Sequence, residues 1–391
     1  MTPADVDAFR RMTACTPSWT ALRPAHEAMD LSAATLLHAG PPFDGAEQIP
    51  APVRNSAIAA ILYEGWAGSP AEAASLLQSG QVRLKPAQDC QCVLPLAAIL
   101  SPSMQVQIVA DTAAGGKLSY SPLNGGSGPA MRLGLPTAAV VDHLRWINGP
   151  FSEAIRSAID TGIDLLSIAD TALLAGDECH GRTSEGTRAI HGELRKRASA
   201  GLPDAVEAFF ASSPSFFLNL WMAASKCILS AANGVPGSTM VTGAGGNGSR
   251  FGLIISGNPT DWITSPAMAP VGNRDPGIST ADCLPAIGDS AIVEALGLGA
   301  MALSYSPVQQ AALHPFMPLP SETLSELLLI GGHPRMARSR ARVGLLAGQV
   351  RAVQQAPAVA LGILDAAGRR GRVGGGIYVM PLELFDKACG L

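Results

Sequence analysis

Chemistry-bearing side chains crowd one short stretch: Asp177, Glu178, Cys179, His180 and Arg182 lie between Gly176 and Thr183. That density stands out in a chain that is 15% charged, against ~25% for ordinary soluble proteins. His180 or Glu178, with Asp177 beside them, suits proton transfer, and Arg182 suits a clamp on a carboxylate or phosphate. The plain alternative is an ion pair of Glu178 with Arg182 one helical turn on. Cys179 and His180 are adjacent, so on a helix they diverge by ~100° and do not chelate one metal.

Three further places carry candidates. Gly243-Ala244-Gly245-Gly246-Asn247-Gly248 matches G-x-G-x-x-G and follows the strand-like Ser238–Thr242, but Phe251–Ser256 after it reads as a strand, not the helix a dinucleotide site requires. Asn247-Gly248 is therefore a hairpin signal. Either it is only that, or its N–H groups cradle an anion with Ser249 and Arg250 alongside. Asn219 and Lys226 are seven apart in an otherwise apolar helical run and share a face; Lys226 either snorkels to solvent or meets an anion. Asp289 and Ser290 precede Ala291–Leu296, where either serves as an N-cap, or where this helix start and the 243–248 segment line one pocket.

The elements that must position these groups follow from periodicity. Ala51–Gly68 reads as a helix, Val82–Leu84 and Val106–Val109 as strands, and Gly115–Gly134 as too densely punctuated for regular structure. Ser152–Ala232 is helical throughout, broken at Gly201-Leu202-Pro203, with Asp204 placed to cap the next helix. After Asn233-Gly234 strands and glycine turns return, with helices near 289–303, 321–330, 337–354 and 381–388. The expected fold is α+β in three parts: an α/β domain over 1–150, a helical domain over 151–233 and an α+β domain over 234–391.

With 391 residues, 47% hydrophobic, the chain is long enough for two or three domains at ~100–200 residues each. Its 42 glycines and 30 prolines make it turn-rich. A net charge of −4 without a basic stripe leaves nucleic acid or an anionic membrane no electrostatic hold, so a small molecule or a protein is the expected partner. Asp5, Asp7, Arg10 and Arg11 interrupt any signal-peptide core, and no apolar run reaches the ~18 residues of a membrane span. Seven scattered cysteines fit reduced thiols and a cytoplasmic location. The histidines show no zinc-ligand spacing, and neither G-x-S-x-G nor a P-loop occurs; no metal and no cofactor is expected.

Leu36–Pro42, Ser101–Met104, Gly176–His180, Phe216–Leu220, Asn247-Gly248, Ile287–Ala291 and Gly374–Gly376 together resemble the AllG-type subunit family of oxamate carbamoyltransferase over nearly the whole chain. The resemblance implies a multi-subunit, oligomeric enzyme that phosphorolyses oxalurate to oxamate and carbamoyl phosphate in allantoin breakdown. It implies a ureido or carbamoyl substrate, phosphate and companion carbamoyltransferase subunits. In that setting the N–H groups of Asn247 and Gly248 would hold an oxyanion, Arg182 and Lys226 an anion, and His180 or Glu178 a proton. The family pattern has histidines where this chain has Pro86–Cys90, an acid at Gly125 and an arginine at Gly246, whose charge Arg250 is near enough in sequence to replace. Those departures bring in two alternatives: a stand-alone hydrolase or cyclase on a carbamoyl or cyclic amide compound, and a non-catalytic scaffold subunit.

Overall fold

A computed structural model describes residues 1–113 and 116–390. The chain is α+β, with five small, mostly antiparallel sheets among many short helices. It opens with a helix, Pro3–Ala14, started by a capping box in which Thr2 and Asp5 satisfy each other's orphan groups. Asp5 Oδ1 also accepts from Thr239 N (2.9 Å) and Ser238 Oγ (3.2 Å), tying the first helix to a segment more than two hundred residues later.

Pro17–Pro24 is a central strand of the first sheet, between Gln105–Asp111 and the two-residue Ile163–Asp164, with Leu118–Pro122 on the outer edge. Its apolar face, Trp19 and Leu22, packs into the main core. A second core gathers the helix Ala51–Glu64, closed by Gly65 at φ 72°, with the small sheet around Thr35–His38. The main core instead joins the first helix, the helical block and the C-terminal sheets around Phe216–Ser230, buried at every position but Leu218. Aromatic packing pins that helix's start: Phe210 and Phe216 ring centroids lie 4.9 Å apart, and Phe151 and Phe216 5.9 Å.

The chain departs from the sequence expectations in five places, the first being Ile163–Asp164, which lies in the stretch read as helical but pairs as a strand with Trp19 and Ser18. Within Gly115–Gly134, Leu118–Pro122 is a strand, since Ser119, Tyr120 and Ser121 pair with Val109, Ile108 and Gln107; Gly115 itself lies outside the described residues. Of 337–354 only Ala347–Val353 is helical, because Arg342–Leu345 pairs as a strand with Leu329–Gly332. Asp204 is the first residue of its helix, Pro203 takes the cap position, and no side chain caps it. The glycine motif is not a loop: Val241–Asn247 is a fully buried strand, and the hairpin turns at Gly248-Ser249 into Arg250–Ile255.

The glycines of that strand are required by closeness. A Cβ at Gly246 would run into the Ala286 carbonyl, and one at Gly40 into the backbone of Gly246. Backbone lies against backbone there, with no room for side chains.

Candidate functional site

A cleft of about 150 Å³ opens where the start of the Phe216–Ser230 helix, the 180–181 turn, Ser290 and the strands Ala358–Leu364 and Arg372–Val379 converge. The 176–183 segment reaches it by reversing direction. The helix Leu165–Leu174 stops, Gly176 takes φ 106° and Cys179 φ 64°, and the reversal buries Glu178 and His180. Glu178 folds its carboxylate back onto the N–H groups of Gly181 and Arg182, the latter at 2.9 and 3.1 Å. Burial pushes its carboxyl up to about 7, against the pull of His180 and of those N–H groups.

His180 Nδ1 donates to Glu294 Oε1 at 2.6 Å, with both side chains buried. The same oxygen accepts from Ala360 N (3.0 Å) and Ala300 N (3.3 Å). Burial disfavours the imidazolium, but the charge and hydrogen bond of Glu294, with Glu178 behind them, outweigh it and hold His180 above its ordinary value. The bond at Nδ1 fixes the ring and leaves Nε2 as the nitrogen available for proton transfer.

Arg132 and Arg372 line the cleft, and among the described residues no carboxylate does. Arg132 Nη1 is buried without a hydrogen-bond partner. Burial and the neighbouring charge of Arg372 draw its guanidinium down to about 10. Arg372 Nε donates to Gly374 O at 2.9 Å, and neither arginine is in an ion pair among the described residues. Two cations face one small volume without a counter-charge, beside a His–carboxylate pair. Such an arrangement can hold an anion and move a proton next to it.

Beneath the cleft lies a second polar cluster. Asp289 accepts from Gly40 N (2.9 Å), Leu94 N (2.9 Å) and Gln88 Nε2 (2.7 Å). Lys226 Nζ donates to Gln88 Oε1 (3.3 Å) and Thr242 O (3.4 Å). Burial pushes Asp289 up to about 6 and pulls Lys226 down to about 8, each moderated by the other's charge.

The structure thus brings together only part of what the spacing suggested. His180 and Ser290 share the cleft. Arg182 is engaged within its own segment, Nε with Asp177 Oδ1 at 3.3 Å and Nη2 with Glu185 Oε1 at 3.4 Å, and is not paired through its side chain with Glu178. Asp177 Oδ2 holds the start of the next helix through Glu185 N and Gly186 N. Asn219 bonds Asn124 and Pro122 and lines a smaller adjoining hollow with His143 and Arg132. Lys226 neither snorkels nor reaches the cleft, and Asp289 caps no helix with its side chain, being turned toward Gly245 and Gln88.

Asn247 donates to Pro41 O and accepts from Ser249 N and Arg250 N, while Gly248 N donates to Ala286 O, so these groups serve the hairpin. Arg250 binds Thr264 Oγ1 and meets Asp44 at 3.5 Å. Of the positions departing from the family pattern, Gln88 sits in the Lys226–Asp289 cluster, the Gly125 carbonyl meets His143, and Gly246 is closed in by Ala286. Arg132, Arg372 and Glu294 escaped the sequence reading. Glu294 had a signal, as the one charge in an apolar run, and Arg372 stands just before the Gly374–Gly376 block.

No group of three or more His, Cys, Asp or Glu among the described residues is placed to hold a metal ion. Among the same residues no helix is long and apolar enough to cross a membrane.

Fold and cleft together define an α+β protein with an unpaired cationic recess at the meeting of a buried helix and a glycine-rich sheet. The family model described as oxamate carbamoyltransferase subunit AllG matches residues 82–290, more than half of the chain, and the chain belongs to that family. It is 29% identical over 391 aligned residues to the oxamate carbamoyltransferase subunit AllG of Escherichia coli K12, covering 95% of this chain and 93% of that protein. It is 34% identical over 284 residues to the uncharacterized protein YahG of the same strain, covering 71% of this chain and 60% of that longer relative. A crystal structure of a conserved protein of unknown function from Enterococcus faecalis V583 superposes with a TM-score of 0.92 at 27% identity, covering 98% of this chain and 96% of that one.

Proposed function

We propose that the chain works with companion subunits as part of a carbamoyltransferase, and that the cleft holds a ureido substrate and phosphate. The observation that carries this is the pair of unpaired arginines, Arg132 and Arg372, beside the buried His180–Glu294 pair. Transfer of a carbamoyl group from a ureido nitrogen to phosphate develops negative charge on the carbonyl oxygen and strips a proton from the phosphate. Fixed cations aimed at that charge lower the barrier without having to reorganise. Arg132 and Arg372 supply the charge, and His180 takes the proton and delivers it to the leaving nitrogen. The start of the Phe216–Ser230 helix adds its positive end, Ser215 and Leu218 lining the cleft.

The test is carbamoyl phosphate formation from oxalurate and phosphate by the complex assembled with its companion subunits. Arg132→Ala and Arg372→Ala are expected to lower kcat/KM by about a hundredfold or more, the loss typical of one charge-stabilising donor, and to weaken phosphate binding by calorimetry. Phosphate binding as tight in both variants as in the parent complex overturns the reading.

A further inference from the structure

Ser290 is buried, 4% exposed, and lines the cleft, yet its hydroxyl forms no hydrogen bond with any described residue. It belongs to the turn Asp289–Ala291, which runs into the helix Ile292–Leu296, so Ser290 and Glu294 stand four residues apart on one side of the segment. One stretch of backbone therefore sends a carboxylate to His180 Nδ1 and a hydroxyl into the cleft that His180 also lines.

The approach to Ser290 is stiff. Gly288 has φ 113°, and a Cβ there would lie 2.7 Å from Leu96 N, while Leu96 itself is held at φ 47°. Asp289 is fastened by hydrogen bonds from Gly40 N, Leu94 N and Gln88. A nucleophile must be held still against its base, and this is a rigid mount.

We propose that Ser290 is the nucleophile of the carbamoyl transfer, carrying the group as O-carbamoylserine between two half-reactions; this rests on the carbamoyl-transfer reading above. In the first half, Ser290 Oγ bonds to the carbamoyl carbon and its proton passes to His180 Nε2. The C–N bond of the ureido group then breaks, and the leaving amide nitrogen takes that proton. In the second half, an oxygen of hydrogen phosphate bonds to the same carbon while its proton passes to His180. The bond to Oγ breaks, Ser290 regains the proton, and carbamoyl phosphate leaves. Arg132, whose Nη1 has no partner, faces the carbonyl oxygen as it gains charge. Ser290 and His180 do not hydrogen-bond to each other as they stand, a looseness common in nucleophile–base pairs before substrate closes the site.

The assembled complex is incubated with carbamoyl phosphate alone, quenched in acid, and its peptides weighed. One carbamoyl group on the peptide bearing Ser290 is expected, and none in Ser290→Ala. The same complex is expected to exchange labelled oxamate into oxalurate without phosphate. Ser290→Ala should lose that exchange and more than about a hundredfold in turnover while binding phosphate as the parent does. Should Ser290→Ala not fold, the adduct and exchange measurements on the parent decide alone. Turnover with no adduct and no phosphate-independent exchange overturns the covalent role and leaves the cleft reading standing, provided the arginine variants still lose phosphate. If those variants bind phosphate normally, the failure lies in the cleft reading.

Discussion

Replacing Lys226 by methionine isolates the energetic cost of the charge beneath the cleft. Burial takes the Lys226 ammonium from 10.5 down to about 8, which is worth roughly 3 kcal/mol at ~1.36 kcal/mol per unit. Between those two values the unfolded chain keeps a proton that the folded chain has shed, so stability climbs with pH across that window, by roughly that amount in total. Asp289 acts in the opposite sense: its carboxyl rises from 3.8 to about 6, so its contribution falls as pH rises through that lower window. With both groups charged, the two together therefore contribute least to stability from about pH 6 to pH 8. Lys226→Met leaves Gln88 Oε1 and Thr242 O without their donor, and its absolute stability mixes that loss with the relief of a buried charge. The difference between parent and variant is free of that mixture when followed against pH by urea unfolding. The parent is expected to gain roughly 3 kcal/mol on the variant from pH 8 to pH 10.5. Parallel curves, or a parent that loses ground, show that Lys226 is not held as a desolvated cation.

Other outcomes follow from the same geometry. Because Glu294 holds the His180 imidazolium above its ordinary value, phosphate binding should stay strong through the ordinary histidine range and weaken only as pH rises past the raised value. Glu294→Gln keeps the shape but removes the charge, so calorimetry should show the fall displaced to lower pH. Gly246→Ala forces a Cβ into the Ala286 carbonyl and should cost about 1–3 kcal/mol in chemical unfolding, with the secondary structure intact by circular dichroism.

Much of the architecture was legible because it is written in local patterns. The helix Phe216–Ser230 announces itself by apolar residues on every side, and Asn247-Gly248 by its turn chemistry. What was not legible is long-range. Arg342–Leu345 looks helical until Leu329–Gly332 is there to pair with it. The glycines at 243–246 look like a loop until Gly40, Ala286 and Gln88 close in on them. The site follows the same division. His180 was found from its crowded segment, but its partner Glu294 lies 114 residues away, and Arg132 and Arg372 have meaning only through the cleft they share. Arg182, the most conspicuous cation in the sequence, is engaged by its own neighbours.

The tie between Asp5 and Thr239, with the first helix in the main core, bears on how the molecule is made. The helix is made well before the Phe216–Ser230 helix and Thr239 that help to bury and hold it, so it stays unsatisfied until those segments emerge. Contacts so far apart in sequence slow folding. A fragment ending before Phe216 leaves the helix without those partners and should therefore be aggregation-prone, not a smaller working protein.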